Sequence, residues 1–276
     1  MLILARICES LLPLAYCGAL GAYAVAFFRR DEPLGRWRRP ALLAALVIHS
    51  VLIYAQTMYH GHCLVYTPFE MMTLISFTVT LTYLIVELAS GERGTGMFFI
   101  AMALLLQTSS IMFSPSIEVA GADPVLLNYT VGLHISFALI GYTAFAISAV
   151  YGGLYLMLYH QIKSNRFGTF YKRLPSLQLL ERMSEKSAIF GVLFLTVAIA
   201  IGMLYLPDVL PNFHYSDPKL VATMIVWGIY VASLLAKYVI KLEGRKVVIL
   251  SLVGFIGTII SMTLINFVLS GFHRFQ

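Results

Sequence analysis

The stretch that decides the fold is LNYTVGLHISFALIGYTAFAISAVYGGLYLMLYHQIK, residues 127–163. Before the closing Lys163, its only histidines or charged residues are His134 and His160. A continuous helix from His134 to Lys163 would be about 44 Å long, enough to cross the roughly 30 Å hydrocarbon core of a bilayer. The stretch therefore predicts a membrane-spanning helix with His134 near one membrane face and Lys163 near the other.

The end of the chain repeats this arrangement. From Lys246, the run VVILSLVGFIGTIISMTLINFVLSG leads to His273, about 40 Å away if the segment is helical. Two helices would then carry a histidine at matching depth, on the side away from the basic loops. Neutral imidazole is a common ligand of haem iron, and histidines from separate helices can bind one porphyrin from opposite sides. His134 and His273 are therefore the candidate ligand pair.

Composition places the chain in a membrane. Hydrophobic residues make up 59% of the 276 positions and charged residues 12%, and the mean hydropathy is +0.84, outside the range of soluble proteins. Apolar segments of spanning length recur at residues 7–28, 40–58, 68–89, 97–113, 127–161, 187–206, 218–240 and 247–270. The sequence predicts an all-α polytopic transmembrane bundle of about eight helices, forming a single integral membrane domain over residues 1–276.

The basic residues predict the orientation. Sixteen of the 19 lysines and arginines fall on one side of such a bundle, and only Arg6, Lys219 and Arg274 remain for the other. The positive-inside rule then places both termini, His134 and His273 on the extracytoplasmic side of the plasma (inner) membrane. Because the loop bias accounts for the net charge of +6, no nucleic-acid partner is expected.

A further histidine, His49, lies in the second apolar segment. It is about 15 Å from Arg39 along a helix, near the middle of the membrane. Histidines at that depth are costly without a partner and are often functional. Two interpretations stay open: a functional group, or a packing residue bonded to a hydroxyl or carbonyl of a neighbouring helix.

Other patterns are weaker. His60, His62 and Cys63 form an H-x-H-C run in an outer loop, but the spacing matches no closed four-ligand metal site. There is no CxxCH run for covalent haem attachment. Phosphate-binding loops, nucleophile elbows and HExxH motifs are also missing from the sequence, so no enzyme class is indicated.

Two loops have features of their own. Asp217 precedes Pro218 and is predicted to cap the seventh helix. Residues 162–186 form the longest polar stretch and are predicted to be a cytoplasmic amphipathic connector, because Leu177, Leu180 and Met183 recur at helical spacing. The connector is either a docking face or a simple link between helices.

Several segments together resemble the cytochrome c assembly protein family, which includes CcsA-type, CcmC-type and HemX-like haem-handling membrane proteins. They are GLHISFALIGY (132–142), SDPKLVATMIVWGIYVASLLAKY (216–238), GRKVVILSLVGF (244–255) and SGFHRF (270–275), with PFEMMTLISF (68–77) and the segment around His49 in the same order along the chain.

The resemblance implies roles for particular residues. His134 and His273 match the paired external histidines that bind haem iron in the family, and His49 matches an intramembrane histidine. The family's second intramembrane histidine would fall at Leu235, so we expect no six-coordinate bis-histidine haem at His49. Asp217 remains from a tryptophan-rich haem-binding signature, but other residues occupy most of the aromatic positions of that signature. This pattern is most similar to the HemX-like branch.

Two functions follow as hypotheses. In the first, the protein holds haem b non-covalently at the outer leaflet through His134 and His273, as an assembly or transfer factor that serves a cytochrome c biogenesis partner or an apocytochrome. In the second, it is a HemX-like membrane regulator or scaffold that controls a cytosolic haem-biosynthesis enzyme through its inner loop, residues 164–186. In neither hypothesis is the protein itself an enzyme.

Overall fold

The computed structural model describes residues 1–28, 36–61, 67–92, 94–113, 125, 128–165, 171, 174–209 and 214–260. Within these residues the chain is all-α, as the sequence predicts, and it has no strand. The helices are α1 (Leu2–Phe28), α2 (Arg38–His60), α3 (Pro68–Ser90), α4 (Gly96–Phe113), α5 (Tyr129–Lys163), α6 (Leu177–Val209), α7 (Pro218–Tyr238) and α8 (Arg245–Ile260).

The helices coincide with the predicted apolar segments. Six of them, α1, α2, α3, α5, α6 and α7, are long and apolar enough to cross a membrane, and α4 is a shorter apolar helix. The described part of α8 has 16 residues, and the rest of its predicted segment lies outside the described residues. The chain is thus a multi-pass membrane protein; the orientation of its termini stays a prediction.

Local sequence accounts for where several helices begin and end. At the start of α3, Glu70 N donates to Thr67 Oγ1 over 3.1 Å, and Thr67 N donates to Glu70 Oε2 over 3.2 Å. This reciprocal capping box satisfies two backbone donors that a helix start leaves unpaired. At the end of α2, Gly61 adopts φ 74°, a left-handed conformation that glycine reaches without steric cost.

The start of α6 differs from expectation. The sequence places Leu177, Leu180 and Met183 on an amphipathic connector ahead of the next membrane helix, whereas α6 runs without a break from Leu177 to Val209. No glycine or proline interrupts its first turns, and Leu180 and Met183 are buried on the packed face of this long helix. Their helical spacing therefore reflects packing of α6. The cytoplasmic, interfacial position of residues 162–186 stays a prediction.

The chain divides into two compact units, the first Met1–Ile140 and the second Gly141–Gln276. In the first unit, α1 packs against α2 and α4, and α3 packs against the same two helices. In the second, α7 packs against α8 and α6. Helix α5 begins in the first unit and continues into the second. The single-domain expectation for residues 1–276 stays a prediction.

Close packing of glycines and rings holds the second unit. Gly141 of α5 lies so near α6 that an added Cβ would come within 3.0 Å of the Leu195 backbone nitrogen. The rings of Phe145 and Tyr230 stack with centroids 3.6 Å apart, and Tyr230 Oη donates to the Ser251 carbonyl over 3.1 Å. Helices approach closely where small residues face each other, as is common in membranes.

Candidate functional site

His134 is the sixth residue of α5, and its side chain is partly exposed. The helix continues without a break to Lys163, so the predicted single helix between these residues is confirmed. His134 therefore lies at the opposite end of α5 from Lys163, about 44 Å away along the helix. Exposed His160 shares the Lys163 end.

The second member of the predicted pair, His273, lies outside the described residues. The distance between the two imidazoles therefore stays a prediction, as does their shared binding of a metal. His62 and Cys63 of the weak H-x-H-C run also lie outside the described residues. Among the residues that the structure does describe, no three His, Cys, Asp or Glu side chains form a group that could hold a metal ion.

Asp217 directly precedes α7, as predicted for a helix cap. Its backbone nitrogen donates to the His214 carbonyl over 3.0 Å, and its own carbonyl accepts from Val221 N over 3.0 Å. The first bond closes a turn at residues 214–217, and the second is the opening bond of the helix. Asp217 thus joins the loop to α7, while its predicted part in cofactor binding stays a prediction.

An apolar cleft of about 350 Å³ lies beside this turn, between the end of α6 and the start of α7. Tyr215, Val221 and Ile225 on its wall are exposed. Its lining side chains are large and mostly flexible, which suits a flat hydrophobic ligand or lipid chains. They are Met203, Tyr215, Leu220, Val221, Met224 and Ile225.

His49 has a different environment, because it is completely buried inside the first unit. Its Nδ1 lies 2.9 Å from Tyr16 Oη of α1, and the same hydroxyl lies 3.0 Å from Thr80 Oγ1 of α3. Phe77 packs edge-on against the imidazole with a centroid distance of 5.3 Å. His49 therefore faces the bundle interior beside a polar neighbour, as expected, and three helices meet at its ring.

Similar polar contacts occur above and below this level on α1. Seven residues before Tyr16, Glu9 Oε1 accepts from Gln56 Nε2 of α2 over 2.9 Å. Seven residues after it, Tyr23 donates to the buried carboxylate of Glu87, which also accepts from Arg39 Nε over 3.1 Å. A spacing of seven places residues on one helix face, so α1 presents a polar stripe to its neighbours.

Several buried polar atoms of the first unit form no hydrogen bond of good geometry among the described residues. They include Nε2 of His49, Oγ1 of Thr82 and both amide atoms of Gln107. Gln107 is 1% exposed. It lies on the stretch of α4 that packs against α3, where Ser76 donates to the Ala103 carbonyl and Thr73 bonds to Ser110. Buried polar atoms normally find partners, so these exceptions mark the interior of the first unit as a candidate site.

The sequence interpretation missed Tyr16, Thr80, Glu87 and Gln107 as members of this site. A usable signal was present, because Glu9, Tyr16 and Tyr23 repeat every seven residues in the first apolar segment. The other expected intramembrane position, Leu235, is 55% exposed on α7 and has no atom that can bind iron.

The sequence profile of the cytochrome c assembly protein family matches residues 65–273, about three quarters of the chain. The chain belongs to this family. The matched range includes His134, Asp217 and His273, whereas His49 and Tyr16 precede it.

Several relatives agree with this assignment. Protein HemX of Brevibacillus brevis is 23% identical over 235 residues, which cover 82% of this chain and 83% of HemX. Inner membrane protein YpjD of Escherichia coli strain K12 is 26% identical over 227 residues, covering 80% and 82%. Cytochrome c biogenesis protein CcsA of Gloeobacter violaceus is 21% identical over 304 residues, covering 92% and 90%. No solved structure matches the chain.

Proposed function

We propose that this protein is a haem-binding membrane protein of cytochrome c biogenesis, which holds haem b non-covalently through His134 and His273 for assembly or transfer. The observation that carries the proposal is the unbroken helix α5, with His134 at the end opposite the basic Lys163. Membership of the family supports it, because the matched range contains both histidines. The plasma membrane and the extracytoplasmic side are part of this proposal.

The described residues suit a porphyrin in two respects. His134 is partly exposed, so a ligand can reach its imidazole without unfolding the helix. Independently, the cleft beside Asp217 offers methionine, tyrosine and aliphatic side chains, which suit the apolar faces of a macrocycle. Bound haem would supply the redox-active iron, while the protein supplies axial nitrogens, an apolar surface and access for a partner.

An absorption spectrum of the detergent-purified protein tests the proposal. We expect six-coordinate, low-spin haem in the wild type, and His134→Ala or His273→Ala should leave a five-coordinate or empty site. His160→Ala is the matched control, because His160 lies at the far end of the same helix and is exposed. It should retain the wild-type haem content per protein.

His214→Ala tests the opposite assignment, in which haem binds at the loop before α7, because this exposed histidine lies in that loop. If His134→Ala and His273→Ala both keep the wild-type spectrum while His214→Ala loses haem, the axial assignment is wrong. The loop before α7 and its cleft would then be the haem site.

A second function is favoured by the ordered start of α6. Lys237 of α7 lies 2.9 Å from both Glu181 and Glu185 and fixes this end of the helix, while Arg182 and Lys186 stay exposed. We propose as the alternative that this charged end contacts a cytosolic haem-biosynthesis enzyme and controls its abundance. Names of relatives such as HemX are compatible with either function.

The two functions are separable in cells. Reversing the exposed charges with Arg182→Glu and Lys186→Glu should change the abundance of an early tetrapyrrole-synthesis enzyme, measured by immunoblot, if the protein is a regulator. The haem content of the purified variant should stay at the wild-type value. If enzyme abundance is the same with wild type, the variant and no protein at all, the regulatory function is wrong.

A further inference from the structure

Exposed basic side chains flank a tyrosine ring at one end of the second unit, where α5 ends and α8 begins. Arg245 is the first residue of α8, and its guanidinium carbon lies 5.8 Å from the ring centroid of Tyr159 in α5. Lys163 follows Tyr159 by four residues, a spacing that makes the two side chains neighbours on one helix face. Lys163 and Arg245 are both exposed, so two cations lie beside one aromatic ring.

Packing between α5 and α8 holds this arrangement in place. Gly244, directly before Arg245, has φ 65°, and an added Cβ would lie 3.2 Å from Tyr155 Oη of α5. One turn earlier on α5, an added Cβ at Gly152 would lie 3.3 Å from Val248 of α8. The start of α8 is therefore packed against α5, and the position of Arg245 over its ring follows from the backbone.

The protein leaves the charge of these two cations uncompensated. Glu181 and Glu185 of α6 lie at the same end of the unit, but both carboxylates are 2.9 Å from Lys237. Within the described part of the chain, neither Lys163 nor Arg245 forms an ion pair with a carboxylate. An anion between them would lower the electrostatic energy of both side chains.

The neighbouring charges have the same sign in excess. Lys241 and Lys246 are exposed on either side of Arg245 in the sequence, and the turn before α8 contributes one exposed acid, Glu243. Basic residues in the first turn of a helix are unfavourable, so Arg245 and Lys246 do not serve the stability of α8. A bias of basic residues to one side of the membrane explains their sign, but it does not explain the contact between Arg245 and an aromatic ring.

Exposed aliphatic side chains accompany the cations. Ile162 directly precedes Lys163, and Val239 and Ile240, which are 72% and 68% exposed, directly precede Lys241. A phospholipid carries its phosphate next to its acyl chains, so it contacts cations and aliphatic groups together. Free phosphate or an acidic soluble peptide would leave the aliphatic side chains in water, which is unfavourable.

We propose that Lys163 and Arg245, with the ring of Tyr159 beneath the guanidinium, bind the phosphate headgroup of an anionic phospholipid. A guanidinium can stack on an aromatic ring and still donate two hydrogen bonds to one phosphate, which suits Arg245 to this role. Basic pockets between membrane helices, on the side that carries the basic loops, bind anionic headgroups in this way. The site does not depend on haem binding by His134 and His273.

Native mass spectrometry of the full chain in detergent, titrated with phosphatidylglycerol or phosphatidylcholine, tests the site. We expect the wild type to bind phosphatidylglycerol about tenfold more tightly. Lys163→Gln and Arg245→Gln should each weaken its binding about fivefold, the usual effect of one basic residue near an anionic headgroup. Lys186→Gln is the matched control and should keep the wild-type affinity, because this exposed lysine of α6 has its charge partly offset by the adjacent Glu185.

Two further variants separate the ring from the charge. Tyr159→Phe keeps the ring and should keep the affinity, whereas Tyr159→Leu frees the guanidinium and should weaken binding, though less than Arg245→Gln does. Lys163→Gln changes an exposed side chain at the end of α5, so it carries the test even if another variant folds poorly. The proposal is overturned if both lipids bind equally, if Lys186→Gln loses as much affinity as Lys163→Gln, or if excess inorganic phosphate displaces phosphatidylglycerol. Loss of haem from His134→Ala does not bear on it.

Discussion

The two units bury different kinds of polar group. Among the described residues, the first unit encloses an imidazole, a carboxylate and a carboxamide, those of His49, Glu87 and Gln107. Apart from tyrosines, the buried polar side chains in the described part of the second unit are all serines and threonines. The described part of the first unit therefore buries groups that can bind a ligand, whereas the described part of the second buries mainly hydroxyl groups.

The bonding partners differ in part. Some hydroxyls of the second unit bond within their own helix, as Ser187 does to the Met183 carbonyl over 2.9 Å, whereas Ser148 of α5 bonds to Ser184 of α6 over 3.0 Å. In the first unit, His49 and Glu87 depend on side chains of other helices. A hydroxyl can satisfy itself locally, but an imidazole or carboxylate in a membrane needs a partner from elsewhere. Function is therefore to be sought first where partners come from several helices.

The largest expected loss of stability comes from breaking the buried ion pair of the first unit. Arg39→Ala removes the cation from Glu87, whose side chain is completely buried, while Arg39 itself is 32% exposed. Removing one partner of a buried pair typically costs about 3–5 kcal/mol, and we expect a loss at the lower end because of the partial exposure. Thermal unfolding in detergent measures it.

The matched control is Arg36→Ala, because Arg36 is exposed just before the same helix. It should change the unfolding temperature little. Adding Glu87→Gln to Arg39→Ala removes the uncompensated charge but keeps an oxygen for Tyr23, so it should recover most of the loss. If the double variant is less stable than Arg39→Ala, the ion pair is not the reason for the loss.

A smaller effect is expected from crowding the close packing of the second unit. Gly141→Ala would place a methyl group against the Leu195 backbone nitrogen of α6, a position that cannot give way by a side-chain rotation. Overpacking of this kind costs about 1–3 kcal/mol. Gly153 is the control on the same helix, since nothing lies within 4 Å of an added Cβ there.

The two glycine variants should change the free energy of unfolding in opposite directions. Gly153→Ala removes backbone freedom from the unfolded chain without a clash, so it should stabilise the protein by roughly 0.5 kcal/mol. Both are measured by thermal unfolding at the same detergent concentration. If the two variants destabilise equally, close approach of α5 and α6 does not hold the second unit.

Much of the fold was predictable because membrane-spanning helices are recognised by length and apolar composition. The limits of α3 and α7 followed from Pro68 and Pro218, and the unbroken α5 followed from a run with no charge before Lys163. The start of α6 was misjudged, because helical spacing at Leu180 and Met183 is the same for a surface helix as for a buried one. Periodicity shows that a face is apolar, and it does not show what covers it.

The site was less predictable for a related reason. The depth of His49 followed from counting residues, and its need for a partner followed from the cost of burial. The identity of that partner depends on which helices are neighbours, and Tyr16 and Thr80 are 33 residues before it and 31 residues after it in the sequence. A repeat of seven on α1 indicates one face, but several other helices could have met that face.

The smallest expected effect tests whether hydroxyls that bond within their own helix matter less than those that bridge helices. Thr73 of the first unit lies 2.7 Å from Ser110, which bonds in turn to the Phe69 carbonyl, so Thr73→Val breaks a link between α3 and α4. Hydrogen bonds between membrane helices are worth about 0.6 kcal/mol on average, and this variant should lose roughly that much.

Ser187→Ala supplies the comparison from the second unit, because its hydroxyl bonds to the helix carbonyl four residues before it. The carbonyl keeps its own backbone hydrogen bond when the hydroxyl is removed, and alanine is the best helix former. The change in stability should therefore be close to zero, or slightly favourable. Unfolding of both variants under one set of conditions decides the matter. A larger loss for Ser187→Ala than for Thr73→Val would mean that a hydroxyl bonded within its own helix matters at least as much as one that bridges two helices, and the expectation would be wrong.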